Sequence, residues 1–138
     1  MNFTNLYLLV RYAKAYGHEK IRVLGMSDNE HTICTFLFGH PNSSQDDVSN
    51  ALKLDKTTVA RALVTLESKG YVVRRQNPKN RRKNLLSLTE IGKENIKAVV
   101  GLYDQWLLTV SECLDPAEQE LFNEYCKRLL AAAKKECE

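Results

Sequence analysis

Long apolar runs, secretion signals and paired cysteines are all missing from this sequence. No run of about 18 apolar residues is present, which is the length a transmembrane helix needs, so we expect no membrane span. The segment Met1 to Val10 lacks a basic n-region and a small-residue cleavage site, so we expect no signal peptide. No CxxC pair occurs, so reduced thiols in a cytoplasmic protein are predicted at Cys34, Cys113, Cys126 and Cys137.

Enzyme signatures are also missing. There is no P-loop, GxSxG, HExxH or glycine-rich nucleotide loop, and the six glycines are isolated at turns. The three histidines, His18, His31 and His40, do not stand at helical ligand spacing with cysteine or acid. We therefore predict that the chain is not an enzyme, and we assign it no metal and no cofactor.

What the sequence does contain is a segregated charge. The whole chain has a formal net charge of +3, but residues 53–97 hold twelve basic and four acidic residues. The remainder holds eight basic and thirteen acidic residues. Such a split predicts one polyanion-binding face on an otherwise mildly acidic body.

Hydrophobic spacing and capping residues predict a mainly α fold with a small β hairpin. Apolar residues at helical spacing predict a first helix over 3–16 that ends at Gly17. Four further helices are predicted to begin after Ser27, Ser44, Asp55 and Thr89, the last of them running over 90–113. Asp115 followed by Pro116 predicts the start of a final helix. Strands are predicted over 71–76 and 85–88, separated by the turn Asn77-Pro78-Lys79-Asn80.

The helix predicted over Asp55 to Lys69, called the recognition helix below, has two unlike faces. Val59, Leu63 and Leu66 form an apolar stripe. Small hydroxyl and long cationic side chains, which suit contacts with phosphates and base edges, occupy the other side: Lys56, Thr57, Arg61, Thr65 and Ser68. Arg61 is the best candidate for a bidentate guanine contact, because its guanidinium is forked. The alternative is an ordinary solvated helix face.

The predicted hairpin over 71–88, called the wing below, is strongly basic at its tip. Six cations and no acid lie between Tyr71 and Lys83. Arginine in a minor groove or lysine beside phosphate fits this arrangement. The alternative is a strand edge that charge protects from aggregation.

Three runs together resemble the MarR-type regulators, which are homodimeric bacterial winged-helix repressors. They are LDKTTVAR from Leu54, LESKGYVVRR from Leu66, and Asn80-Arg-Arg through LTEIG at 88–92. The resemblance implies a single domain over 1–138, with a winged-helix DNA-binding lobe over 27–92 and dimerisation helices over 1–17 and 93–138. It implies major-groove contacts from Lys56, Thr57, Thr58 and Arg61, with Arg82 in the minor groove and Arg81 on the backbone. The full predicted DNA-binding set is Ser44, Lys56, Thr57, Thr58, Arg61, Thr65, Arg75, Lys79, Arg81, Arg82 and Lys83.

One position departs from the family pattern. The basic motif of the wing usually begins with Asp, and this chain has Asn80. An Asp can brace the wing arginine through a charged pair, whereas Asn offers only a neutral hydrogen bond. We therefore expect Arg82 to be less firmly held than in the family.

The terminal helices are apolar beyond what one core requires, which favours a homodimer. Two copies would present their recognition helices about 34 Å apart, one turn of DNA, and would bind a pseudo-palindromic operator. The alternative is that these residues fill a monomer core. The resemblance also implies a small aromatic ligand that releases the repressor, with a candidate pocket at Tyr7, Tyr12, Phe36, His40, Tyr103 and Trp106, although aromatic residues at this spacing are more often core.

The predicted function is sequence-specific binding of double-stranded DNA by a bacterial transcriptional repressor. A winged-helix module that binds RNA or protein without operator specificity is the alternative. Peroxide-sensing relatives carry a cysteine in the first helix, and residues 1–17 contain none. Cys34 lies among Ile33 and Phe36, so we expect a buried, inert thiol there.

Overall fold

The computed structural model describes residues 1–137 and has the predicted mainly α architecture with one two-stranded antiparallel sheet. The described part of the chain contains the helices α1 (Phe3–Val23), α2 (Asp28–Gly39), α3 (Gln45–Leu52), α4 (Lys56–Ser68), α5 (Glu90–Val110) and α6 (Pro116–Glu136), the strands β1 (Val72–Asn77) and β2 (Asn80–Leu88), and a 3₁₀ turn over Ser111–Cys113.

Side-chain caps explain where most helices begin. Ser27, Ser44 and Asp115 each form a capping box, in which the cap side chain and the N3 carboxylate satisfy one another's backbone N–H groups. Asp55 accepts a hydrogen bond from the backbone N–H of Thr58 and begins α4. These predicted helix starts are confirmed.

The predicted end of the first helix at Gly17 is wrong. α1 continues through Gly17 to Val23, and Gly17 is buried inside it. A Cβ at this position would collide with the ring of Tyr103 from α5. The glycine therefore allows an aromatic ring to approach the helix backbone, and it does not terminate the helix.

The second strand of the wing is longer than predicted. β2 begins at Asn80 rather than at Leu85, so the three consecutive cations lie within the strand and not on a loop. Charged side chains are compatible with pairing here, because both faces of this part of the ladder are exposed to solvent. The pairing runs from Val72 opposite Leu88 to Gln76 opposite Asn84, and the register shifts at Asn77.

The long α5 helix is shorter than predicted and ends at Val110, before the 3₁₀ turn.

The described contacts divide the chain into two compact units, one over Met1–Tyr103 and a second from Asp104 onward. The predicted division at residues 92 and 93 stays a prediction. The core of the first unit joins α2, α3, α4, β2 and α5 through fully buried side chains, among them Ile33, Val48, Leu63, Leu86 and Ile96. This core packs the wing and the recognition helix into one lobe.

Within residues 1–137, no helix is both long and apolar enough to cross a membrane. The same residues contain no group of three or more His, Cys, Asp or Glu side chains arranged to hold a metal ion.

Candidate nucleic-acid interface

A tight turn sets α3 against α4, the recognition helix. Lys53 ends α3 in the left-handed conformation with φ of 55°, and its N–H bonds to the carbonyl of Ser49. Asp55 then caps α4 two residues later. Val48 of α3 and Leu63 of α4 are fully buried, so the two helices are fixed by their apolar sides and their polar sides remain outside.

The outer side of α4 carries the predicted contact residues. Lys56, Thr57, Arg61 and Thr65 are all exposed, whereas Val59, Leu63 and Leu66 are fully buried. Val64 is not among the predicted contact residues, yet its side chain is 65% exposed on the same helix. Counting residues at the helical period would have revealed it, because Val64 follows Thr57 by two turns.

Some predicted contact residues use their hydroxyl groups to hold the backbone. Thr58 donates its hydroxyl to the carboxylate of Asp55 at 2.7 Å, and Thr65 donates to the carbonyl of Arg61 at 3.3 Å. The bonds from Thr58 hold the pKa of Asp55 below its ordinary value, so the cap stays charged. Ser44 is buried at the N-cap of α3, where its hydroxyl accepts from the N–H of Asp47. A DNA contact by Ser44 or Thr58 stays a prediction.

Asp46 places a carboxylate between the recognition helix and the wing. Its Oδ1 lies 3.7 Å from Nζ of Lys56, and its Oδ2 lies 3.9 Å from Nζ of Lys83. A cavity of about 200 Å³ lies beside it, lined by Ser44, Gln45, Asp46, Arg74, Arg82, Lys83 and Asn84. Residue 46 lies outside the basic segment 53–97, so the charge pattern of the sequence does not place it beside these lysines. In the structure it partly neutralises two of the predicted DNA contacts.

A second ion pair joins the recognition helix to β1. Nε of Arg74 donates to Glu67 of α4 at 2.8 Å, and both side chains are about one-third exposed. Arg74 is therefore occupied in holding the wing against α4. The charge of Arg74 is thus already paired within the protein and stabilises the fold, although Arg74 belongs to the basic segment.

Three arginines of α4 and the wing have no salt-bridge partner among the described residues. Within residues 1–137, no acidic side chain forms a salt bridge with Arg61, Arg81 or Arg82, and all three are exposed. Lys79 is exposed at the tip of the wing. Arg75 lines a different cavity from Arg82, together with Phe38, Pro41 and Lys93 among others. Arg61, Arg81 and Arg82 are thus available to bind an anion without first breaking an ion pair.

Two asparagines shape the tip of the wing. The side-chain oxygen of Asn80 accepts from the N–H of Arg82 at 3.1 Å, and that of Asn77 accepts from the N–H of Lys79 at 2.9 Å. Both are local side-chain-to-backbone bonds of the Asx type. Asn80 therefore orients the backbone at Arg82 and makes no bond to its guanidinium.

The base of the wing is tied to the start of α3. Ser43 and Leu86 exchange two backbone hydrogen bonds, at 2.7 and 3.2 Å. The hydroxyl of Ser87 also accepts from the N–H of Asn42 at 3.0 Å and donates to its side-chain oxygen at 3.1 Å. The inner part of β2 is thus held on both edges.

The far end of the recognition helix is anchored to α2 by a buried carboxylate. Lys69, the C-cap of α4, donates to Glu30 at 3.2 Å and to the carbonyl of Gly25. The Glu30 side chain is only 7% exposed. Burial alone would raise the pKa of Glu30, but hydrogen bonds from Ser27 and Lys69 outweigh it and hold that pKa below its ordinary value.

Comparison with known proteins identifies the family. The MarR family model matches residues 26–83. The HTH-type transcriptional regulator PrsX of Escherichia coli is 30% identical over 115 residues, which cover 82% of this chain and 69% of that protein. The chain belongs to the MarR family.

Other relatives agree with this assignment. The uncharacterized HTH-type transcriptional regulator YdgJ of Bacillus subtilis is 34% identical to this MarR-family chain over 93 residues, covering 67% of the chain and 57% of the relative. The match therefore spans little more than half of the length of YdgJ. These relatives are named as regulators of transcription, in agreement with the prediction that the chain is not an enzyme.

Solved structures share the complete fold. The crystal structure of MarR superposes with a TM-score of 0.87 at 26% identity, covering 99% of this chain and 93% of that one. The MepR–DNA complex of S. aureus superposes with a TM-score of 0.73 at 20% identity, covering 96% and 98% respectively. The predicted winged-helix architecture with flanking helices is thereby confirmed.

The candidate ligand residues of this MarR-family chain differ in their surroundings. Phe36 and His40 stack at 4.4 Å between ring centroids at the end of α2, and Tyr103 lies 5.9 Å from the ring of His31. Tyr7 and Tyr12 are exposed on α1, and Trp106 belongs to the second unit. Phe36 and His40 form a stacked pair, and the ligand pocket stays a prediction.

The cysteines differ in environment. Cys34 is fully buried, and this burial, with the nearby charge of Glu30, raises the pKa of its thiol to about 12. A thiol with that pKa is protonated at neutral pH and is a poor nucleophile. The expected inert character of Cys34 thus has a physical basis, and Cys113, Cys126 and Cys137 are free and exposed.

Proposed function

We propose that this MarR-family protein is a sequence-specific regulator that binds double-stranded DNA, with α4 in the major groove and the wing in the minor groove. The observation that carries the proposal is the joint exposure of Arg61 on α4 and Arg82 on the wing, neither held by a salt bridge within residues 1–137. A helix with an exposed forked cation suits base edges, and a flanking basic hairpin suits phosphates and the minor groove.

Charge and relatives support the same proposal. The basic excess over residues 53–97 coincides with α4 and the wing. The electric field of such a basic excess accelerates association with a polyanion. The affinity for that polyanion is then expected to fall as the salt concentration rises. MepR, which shares the fold, has been solved in complex with DNA. An RNA duplex hides its major groove from a helix, so DNA is the better match for an exposed recognition helix.

We further propose that the protein acts as a homodimeric repressor on a pseudo-palindromic operator in the bacterial cytoplasm. Exposed apolar side chains on α1 and α6 support self-association, since a monomer rarely leaves so many uncovered: Phe3, Leu6, Tyr7, Leu8, Val10, Leu121, Tyr125, Leu129 and Leu130. Release by a small aromatic ligand completes the proposal, with the candidate residues Tyr7, Tyr12, Phe36, His40, Tyr103 and Trp106.

The test begins by selecting bound sequences from random duplex DNA with the purified protein. Affinities of the wild type, Arg61→Ala and Arg82→Ala are then measured on the selected operator and on a scrambled duplex. We expect Arg61→Ala to weaken operator binding about five- to 150-fold, as the loss of a bidentate base contact of about 1–3 kcal/mol would, and to affect the scrambled duplex little. Arg82→Ala should weaken both.

The matched control is Arg22→Ala, which removes an exposed arginine near the end of α1, outside the segment 1–17, and should leave both affinities unchanged. Equal losses on the two duplexes for Arg61→Ala would remove its base-reading role. If no sequence is selected, and if binding to duplex DNA does not depend on salt, the result would favour a protein-interaction module over DNA recognition.

A further inference from the structure

Val64 stands on the outer side of α4 among the residues proposed to meet DNA. At about 100° per residue, positions seven apart on a helix differ by only about 20°, so Val64 lies almost directly beyond Thr57. Arg61 lies about 60° away on the same side. The Val64 side chain is 65% exposed, so this position belongs to the outer surface of the helix.

Neither the core nor the helix accounts for a valine at this position. The apolar side of α4 is already filled by Val59, Leu63 and Leu66, which are fully buried. A β-branched residue is a weaker helix former than the polar residues usual on an outer face, because its χ1 freedom is restricted. The valine is therefore unexplained by folding within this chain.

We propose that Val64 reads the 5-methyl group of a thymine in the major groove. This inference rests on the proposed function and names one element of its sequence specificity. Thymine is the only DNA base that presents a methyl group in the major groove, and apolar side chains recognise it by contact. Val64 has no hydrogen-bonding group, so its exposed isopropyl group matches that methyl and no other base edge.

The neighbouring residues place the thymine relative to a guanine. Arg61 precedes Val64 by three residues, which is about 4.5 Å along the helix axis. Successive bases of one strand are about 3.4 Å apart. The thymine read by Val64 should therefore lie one or two base pairs from the guanine proposed for Arg61. Ala60, half-buried one turn before Val64, adds a methyl group to the same apolar surface.

The test replaces the thymines of the selected operator, one position at a time, by deoxyuracil, which lacks only the methyl group. For the wild type, we expect one position in each half-site at which uracil weakens binding about fourfold, the effect of losing one buried methyl contact. Val64→Ala loses the contact in both subunits, so it should bind the thymine operator about as weakly as the wild type binds an operator with uracil at both of these positions. It should not distinguish the two duplexes.

Two controls separate this inference from the proposed function. Arg61→Ala should bind more weakly overall but keep the fourfold preference for thymine. Val23→Ala removes an exposed valine from the end of α1 and should change neither affinity. Circular dichroism of Val64→Ala should match the wild type, because an exposed side chain is lost.

Each other outcome overturns the inference. If no uracil position weakens the wild type, or if Val64→Ala keeps the preference for thymine, Val64 does not read a methyl group. The proposed function stands in both cases as long as Arg61→Ala loses operator affinity. If the protein binds no duplex at all, the proposed function and the role of Val64 fail together.

Discussion

Asp46 is expected to weaken DNA binding, so replacing it by asparagine should tighten the complex. The carboxylate lies 3.7 Å from Lys56 and 3.9 Å from Lys83, two of the cations proposed to meet DNA. A phosphate that approaches these lysines competes with Asp46 and is repelled by it. Asp46→Asn removes both effects while it keeps the shape of the side chain.

The size of the gain follows from the exposure of the groups. The side chains of Lys56 and Asp46 are 80% and 48% exposed, and that of Lys83 is 54% exposed. Exposed pairs of this kind are worth about 0.2–1 kcal/mol each because water and salt screen them. Two such contacts correspond to about a two- to thirtyfold gain in affinity for each DNA-binding lobe at low salt.

Salt dependence makes the prediction specific. In the wild type, Asp46 already supplies part of the counter-charge of two lysines, so fewer ions are released when DNA binds. The slope of log affinity against log salt should be steeper for Asp46→Asn, by up to about 0.9 for each lysine freed. Fluorescence anisotropy with labelled duplex at several salt concentrations measures both the affinity and the slope.

The opposite effect on stability provides an internal check. Asp46 lies in the first turn of α3, where a negative charge interacts favourably with the helix dipole. Its loss should lower the free energy of unfolding by about 0.3–1 kcal/mol. Glu19→Gln makes the same change of net charge at an exposed site of α1, outside the predicted dimerisation segments, and should not alter DNA affinity. Equal or weaker DNA binding by Asp46→Asn at low salt would refute the reasoning.

Two further predictions concern packing inside the lobe. Lys69→Met leaves the Glu30 carboxylate buried without its cation and should lower the free energy of unfolding in urea by about 2 kcal/mol, less than for a fully buried pair because the Lys69 side chain is 32% exposed. Adding Glu30→Gln should recover part of this loss, and no recovery would contradict the pairing. Gly17→Ala forces the Tyr103 ring to move and should lower the thermal midpoint, at a cost of about 1–3 kcal/mol. Gly101→Ala, where a Cβ meets nothing within 4 Å, should raise it.

Local chemistry made much of the fold predictable. Capping residues act on the backbone within three or four positions, so Ser27, Ser44, Asp55 and Asp115 indicate the helix starts directly. Gly17 was misread because its role depends on Tyr103, which lies 86 residues away in the sequence. A single sequence does not show which distant ring will pack against a glycine.

The candidate site was predictable in its residues but not in its ion pairs. Periodicity separated Arg61 from the buried stripe, and that separation is confirmed by the exposures along α4. Which cations are neutralised depends on tertiary proximity, as for Asp46 and the wing lysine Lys83. Val64 is exposed on the same helix, but an apolar side chain does not fit a pattern of polar groups suited to DNA.

The attachment of the wing to the start of α3 divides the hairpin into a rigid root and a pliable tip. At the root, Ser43 and Leu86 exchange backbone hydrogen bonds, so β2 has a partner on both sides. Between Asn84 and the tip of the wing the ribbon consists of β1 and β2 alone, and isolated two-stranded ribbons are marginally stable in water. In the proposed complex with DNA, the tip could therefore adapt to grooves of different width while the root keeps the recognition helix in register. Operators with dissimilar flanking sequences would then be accessible to one and the same proposed base-reading surface.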